Sequence, residues 1–140
     1  MTSYKLAKVS NGLSENTARL HFADLGLKLL DWRIIVALRH EGPATAAEIA
    51  QLIEADKGNV SRSISALTAQ GLVRRSATPG ALRQRRLELT NAGDALFARL
   101  NPIARERERQ LLSVLTPDER AAFDALLDKL LEQLVVMARA

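Results

Sequence analysis

Asp56–Gly71, "DKGNVSRSISALTAQG", is the stretch that decides the fold. Val60, Ile64 and Leu67 stand at i, i+4 and i+7, the spacing of a single helical stripe. The opposite side carries Gly58, Ser61, Arg62, Ser65 and Ala69, a face that is short, hydroxyl-bearing and free of acid. An ordinary surface helix fills that face with Glu and Lys, which form helix well and solvate well. Asp56 is the expected N-cap and Gly71 the expected C-cap, so the helix is expected over Lys57–Gln70.

Upstream, "TAAE" at Thr45–Glu48 is a capping box that opens a short helix running to about Ile53. Before it, Leu30–His40 reads as a helix, apolar at Trp32, Ile35, Val36 and Leu38, and Gly42 and Pro43 end it. Tyr4–Ala23 reads as a first helix with Leu6, Val9, Leu13 and Leu20 on one side; "DLGL" at Asp24–Leu27 breaks it. Downstream, Leu72–Ser76 and Arg85–Leu89 read as a hairpin around the turn "SATPGA", which carries Pro79–Gly80. Leu87 and Leu89 alternate with Arg86 and Glu88, the clear period-2 signal of the chain.

Thr90 or Asn91 caps a long helix, within which Asn101–Pro102 is either a kink or a cap followed by a first-turn proline. "TPDE" at Thr116–Glu119 is another capping box. It opens a last helix with Phe123, Leu126, Leu127, Leu130, Leu131, Leu134 and Val135. The order helix, helix, tight break, helix, hairpin is a winged helix-turn-helix. The expected fold is mainly α, with about six helices plus a β-hairpin wing, in one domain over 1–140. Within it, 30–90 is the expected DNA-binding lobe, and 1–25 with 91–140 are the expected dimerisation helices.

Composition is consistent with that fold and narrows the functions. The 140 residues are 47% hydrophobic and 26% charged, and a chain of this length buries about two thirds of its unfolded surface. It has no cysteine, which excludes disulfides, thiolate metal sites and a thiol redox switch. No apolar run approaches the ~20 residues that span a bilayer, and the N-terminus lacks a signal-peptide core. A soluble cytoplasmic protein is expected, with no membrane partner, no metal and no cofactor. The net charge of +4 is unevenly spread: Lys57–Arg86 holds seven basic residues and no acid. Such a window suits a polyanion.

Double-stranded DNA is the expected partner. A recognition helix seated in a groove roughly 12 Å wide needs short or hydrogen-bonding residues against base edges and phosphates. Gly58 permits close approach, while Asn59, Ser61, Arg62 and Ser65 supply donors and acceptors. Thr45 and Lys57 join this candidate set. In the hairpin, Arg83 is the expected wing-tip residue over the minor groove, with Arg85 as its alternative, and Arg74 and Arg75 are expected on phosphates. The plain alternative is a Ser-rich solvated helix with solvated arginines; capping, spacing and the basic hairpin together favour DNA. The terminal helices carry apolar faces too wide for a small winged helix to cover. An intrachain bundle is one reading and a dimer through both termini the favoured one. A two-fold dimer places two reading helices about one DNA turn apart on a pseudo-palindrome. The "RERER" run at Arg105–Arg109 reads as a solvated face.

Over nearly its full length the chain resembles the multiple antibiotic resistance regulator (MarR) family of winged-helix repressors. The resemblance rests on "DWRIIVALRHEGPATAAEIAQ", "DKGNVSRSISALTAQGLVRR", "RRLELTNAGDAL" and "LTPDERAAFDALLDKL". It implies an obligate dimer with terminal helices at the interface, and release of DNA on binding a small, often aromatic or phenolic, molecule. The implied ligand zone lies among the first, second and fifth helices, where His21, Phe22, Trp32 and Arg33 are candidates. Arg33 suits an anionic effector through its bidentate fork, whereas Trp32 on an apolar stripe also reads as plain core. Members usually carry an acid two residues before the wing-tip arginine; here Ala81 holds that place. The lack of cysteine excludes the thiol-based peroxide sensors of the family.

Other classes fit less well. The chain has two histidines, His21 and His40, and no H-E-x-x-H, phosphate-binding loop or G-x-S-x-G elbow, and acid pairs such as Glu15 with Asp24 have no supporting motif, so an enzyme is not expected. A winged-helix adaptor that binds protein, without ligand response, is the runner-up; it needs no acid-free basic window. The expected function is a DNA-binding transcriptional regulator, a repressor, acting as a homodimer on a pseudo-palindromic operator.

Overall fold

The computed structural model describes residues 1–76 and 85–140, with the side chains of 16–21 and 23 left out. Among these residues the chain forms six α-helices and one antiparallel pair of strands. In order they are α1 (Thr2–His21), a 3-10 turn (Ala23–Leu25), α2 (Leu29–Glu41), α3 (Ala46–Leu52), α4 (Lys57–Ala69), β1 (Val73–Arg75), β2 (Leu87–Leu89), α5 (Asn91–Leu112) and α6 (Pro117–Ala138). The chain divides into two compact units, Met1–Arg105 and Glu106–Ala140. The expected fold class is the one found. Strands are shorter than the hairpin pattern suggested, and the turn with Pro79, Gly80 and Ala81 lies outside the described residues.

In the first unit, α2, α3 and α4 converge on one core. Ile34, Ile35 and Ile49 are fully buried, as are Val60 and Leu67, and Trp32, Leu38, Val73, Phe97 and Leu100 close around them. Burying each large side chain contributes about 1.5–3 kcal/mol. The sequence stripe on α2 named Ile35, which is fully buried, and Val36, which is half-buried, but left out Ile34, which is fully buried as well. The reason is that α2 packs on more than one side, so its buried arc is wider than a single stripe.

Local chemistry sets the ends of these helices. Lys28 precedes α2, and its backbone N–H donates to the buried Asp31 carboxylate at 2.9 Å, which places negative charge at the positive end of the helix. Gly42 ends α2 at φ +78, its N–H donating to the Leu38 carbonyl at 3.0 Å. Thr45 caps α3, accepting from Glu48 N at 3.1 Å, and Asp56 caps α4, accepting from Asn59 N at 3.0 Å.

The two strands pair Val73 with Leu89, Arg74 with Glu88 and Arg75 with Leu87. Leu87 also pairs with Ala44 on its other side: Ala44 N donates to Leu87 O at 3.0 Å and Leu87 N to Ala44 O at 2.8 Å. Thr90 joins the strands to α5. Its hydroxyl donates to Gly71 O at 2.6 Å and accepts from Gly93 N at 3.1 Å, while Thr90 N donates to Leu72 O at 3.0 Å. Gly93 allows this approach, since a Cβ there would stand 2.2 Å from the Leu72 carbonyl oxygen.

The long helix α5 continues through Pro102, so the cap reading of Asn101–Pro102 is not what the chain adopts. Proline leaves the Ala98 carbonyl without its usual helical donor. In the second unit, Arg109 donates to Glu106 at 2.6 and 2.8 Å, and this hydrogen bond holds the exposed Glu106 carboxyl below its ordinary pKa. Thr116 and Glu119 cap α6 reciprocally: Glu119 N donates to the Thr116 hydroxyl at 3.2 Å, and Thr116 N to the Glu119 carboxylate at 2.9 Å. No residue of α6 is buried in the single chain, and Leu126, Leu130 and Leu134 stay 57%, 50% and 54% exposed.

Candidate nucleic-acid interface

The helix-turn-helix is α3, the tight turn Ile53–Asp56, and α4. Ala55 N donates to Ala50 O at 3.0 Å across the turn, and Glu54 takes the left-handed conformation at φ +52. That conformation costs a side-chain-bearing residue about 1–2 kcal/mol, so the packing of α3 against α4 has to hold it. The outcome is one helix with two chemically distinct sides. Val60, Ser63, Ile64 and Leu67 face the core, whereas Lys57, Gly58, Asn59, Ser61, Arg62 and Ser65 are exposed together. Buried Ser63 falls outside the apolar stripe read from sequence.

Within the exposed side, an Arg62 guanidinium nitrogen donates to the Asn59 side-chain oxygen one turn earlier. A Cβ at Gly58 would lie 3.1 Å from Asp56 Oδ2 and 3.5 Å from Arg62 Nη1, so the glycine keeps open the gap these groups border. Thr45 is half-buried at the start of α3, its hydroxyl engaged in capping.

On the hairpin, Arg74 Nε meets Glu88 Oε1 at 3.2 Å, directly across the strand register. Arg75 and Arg85 are exposed, and Arg85 sits at φ +49. Arg83 lies outside the described residues. Arg86, counted in the basic window, is half-buried and donates to Pro43 O at 3.4 Å, tying β2 to the loop before α3.

The three effector candidates whose side chains are described do not share one environment. Phe22 and Trp32 are core residues with ring centroids 5.6 Å apart, and Trp32 stacks on Phe97 at 5.7 Å. Arg33 is exposed and donates to the Ser14 hydroxyl at 3.3 Å. The side chain of His21 lies outside the described residues. Sequence reasoning missed Phe97, whose ring also stands perpendicular to that of His40 at 5.9 Å and lies under the Arg39 guanidinium at 5.4 Å. Its position nearly two turns into an amphipathic helix, with Leu100 following at i+3, was the available signal.

A helix-turn-helix followed by a basic hairpin defines a winged-helix regulator. A family model described as the MarR family matches residues 25–84. The chain is 31% identical over 109 residues to the HTH-type transcriptional repressor NicR of Pseudomonas putida, covering 78% of this chain and 69% of that protein. A MarR family transcriptional regulator from Silicibacter pomeroyi DSS-3 superposes with a TM-score of 0.79 at 30% identity, over 94% of this chain and 93% of its own. A second regulator from Silicibacter pomeroyi gives 0.82 at 28% identity, over 95% and 89% of the two chains. The protein belongs to the MarR family of transcriptional regulators, which are not enzymes.

Proposed function

We propose that the protein is a homodimeric repressor that binds a pseudo-palindromic DNA operator and leaves it when a small aromatic or anionic effector binds. The observation that carries this reading is the split of α4, whose core side is apolar while its exposed side holds Gly58, Asn59, Ser61, Arg62 and Ser65 without an acid. That side enters the major groove, where Arg62 suits a guanine edge. Lys57, Thr45, Arg74 and Arg75 meet phosphates, and Arg83 or Arg85 serves the minor groove at the wing. The lobe is 30–90. Repression, rather than activation, follows the repressor NicR.

The dimerisation segments are 1–25 and 91–140. Leu126, Leu130 and Leu134 share a stripe of α6 that stays half exposed in one chain, and a second copy of the same helix is the occupant that matches it. Of the effector candidates His21, Phe22, Trp32 and Arg33, exposed Arg33 suits an anion, and a ligand reaching Phe22 or Trp32 has to displace core contacts. Weakening DNA binding tenfold requires about 1.4 kcal/mol of preference for the unbound arrangement.

Footprinting on DNA flanking the protein's own gene, with mobility shifts across a salt series, tests the reading. A steep fall of affinity with salt is expected, together with a protected pair of half-sites about one turn apart. Absence of duplex binding supports the adaptor reading instead. Sedimentation of Leu130→Glu is expected to give monomer where the wild type gives dimer.

A further inference from the structure

The exposed side of α4 contains a side-chain contact that the roles above do not use. The Arg62 guanidinium is held by the side-chain oxygen of Asn59, three residues earlier on the same face, and Asn59 is the side chain that holds it among the described residues. Both residues are exposed, so the contact adds little to folding. The Asp56 carboxylate accepts from Asn59 N at 3.0 Å as the cap of α4, and the contact that Arg62 makes is with the amide side chain of Asn59, not with an acid. Gly58 lies between them, and any Cβ there would stand 3.5 Å from Arg62 Nη1.

We propose that Asn59 is a positioning residue that holds the Arg62 guanidinium on the face of α4 so that its free edge meets one guanine, and that Asn59 does not itself read a base. This rests on the reading of α4 as the DNA-reading helix. The physical reasoning is entropic and electrostatic. A free arginine loses rotamer freedom when it docks on a base, at a cost that converts to about two- to tenfold in binding. A neutral amide removes part of that cost in advance and, unlike an acid, does not repel the neighbouring phosphates. With its side-chain oxygen turned to the arginine, Asn59 is not posed for the bidentate pairing with adenine that asparagine otherwise makes.

The experiment begins with selection of duplexes from a random pool by the wild-type protein, followed by binding to the selected duplex and its single base-pair variants. The variants are Asn59→Ala, Asn59→Asp, Arg62→Ala and the double Asn59→Ala/Arg62→Ala. Arg62→Ala is expected to reduce discrimination at one G·C pair by about ten- to a hundredfold. Asn59→Ala is expected to reduce discrimination at that same pair by about two- to tenfold, with an unchanged salt slope, and to add nothing in the Arg62→Ala background. Asn59→Asp keeps the accepting oxygen and is expected to retain the discrimination while lowering affinity for every duplex.

Loss of discrimination at a different pair, loss in Asn59→Asp equal to that in Asn59→Ala, or independent effects of the two alanine changes would each overturn the proposal. Failure of the wild type to select any duplex overturns instead the reading of α4 on which it rests. Circular dichroism of each variant, expected to match the wild type, separates misfolding from loss of reading.

Discussion

Gly93→Ala measures how tightly the wing root is seated on α5. A Cβ at this position would stand 2.2 Å from the Leu72 carbonyl oxygen and 3.2 Å from Leu89 Cδ2, where real Cβ atoms essentially never come closer than 3.0 Å. One backbone segment must therefore retreat by most of an ångström. Retreat stretches the hydrogen bond from Thr90 N to Leu72 O, now 3.0 Å, and disturbs the Thr90 hydroxyl bridge between Gly71 O and Gly93 N. Overpacking of this kind costs about 1–3 kcal/mol, and a lost hydrogen bond about 0.5–1.5 kcal/mol more. Against this, alanine is favoured over glycine in a helix by at most about 1 kcal/mol. The packing terms win, and a net loss of about 1–3 kcal/mol is expected. Urea unfolding followed by circular dichroism, at fixed protomer concentration, reads this as a lower midpoint with an unchanged slope. Gly12→Ala is the control, since nothing among the described residues lies within 4 Å of a Cβ there in α1, and it is expected to stabilise slightly. A Gly93→Ala protein as stable as the wild type would refute the close approach.

Three further outcomes are expected. Phe97→Ala removes the ring stacked on Trp32 and should cost about 3–5 kcal/mol in urea unfolding, with emission of the single tryptophan shifting to the red. Glu54→Gly relieves the left-handed turn at φ +52 and should stabilise by up to about 1 kcal/mol, whereas Glu54→Val should destabilise; thermal unfolding separates the two. The Thr116 backbone N–H and then its hydroxyl hold the Glu119 carboxyl below its ordinary pKa of 4.5. A depressed folded pKa contributes stability above the unfolded value and loses it as pH falls through the folded one. Protection of the first-turn amides of α6, measured as exchange relative to the intrinsic rate at each pH, should therefore fall below about that pH, and Glu119→Gln should remove the acid dependence.

Cap chemistry was legible in the sequence because it is local. Thr45, Asp56 and Thr116 each bond the backbone three residues on, and each was readable from spacing alone. The cap of α2 was not, because Lys28 has no capping side chain and the acceptor is Asp31, whose burial depends on tertiary packing. Likewise, the acid-free side of α4 was visible as composition, but the grip of Asn59 on Arg62 needs rotamers. Arg74 was expected on phosphate from charge; its pairing with Glu88 follows from strand register, which the hairpin pattern left open by a residue or two. Arg75, exposed beside it, should therefore flatten the salt slope more than Arg74 when replaced by alanine.

The bridge between Ala44 and Leu87 bears on any attempt to transplant the helix-turn-helix. A peptide cut at Gly71 would keep α2, α3 and α4 yet strip the backbone partner from Ala44 and uncover Val73's place in the core. The smallest graft that preserves α4 in its native pose therefore extends through Thr90, carrying the whole hairpin as part of its foundation.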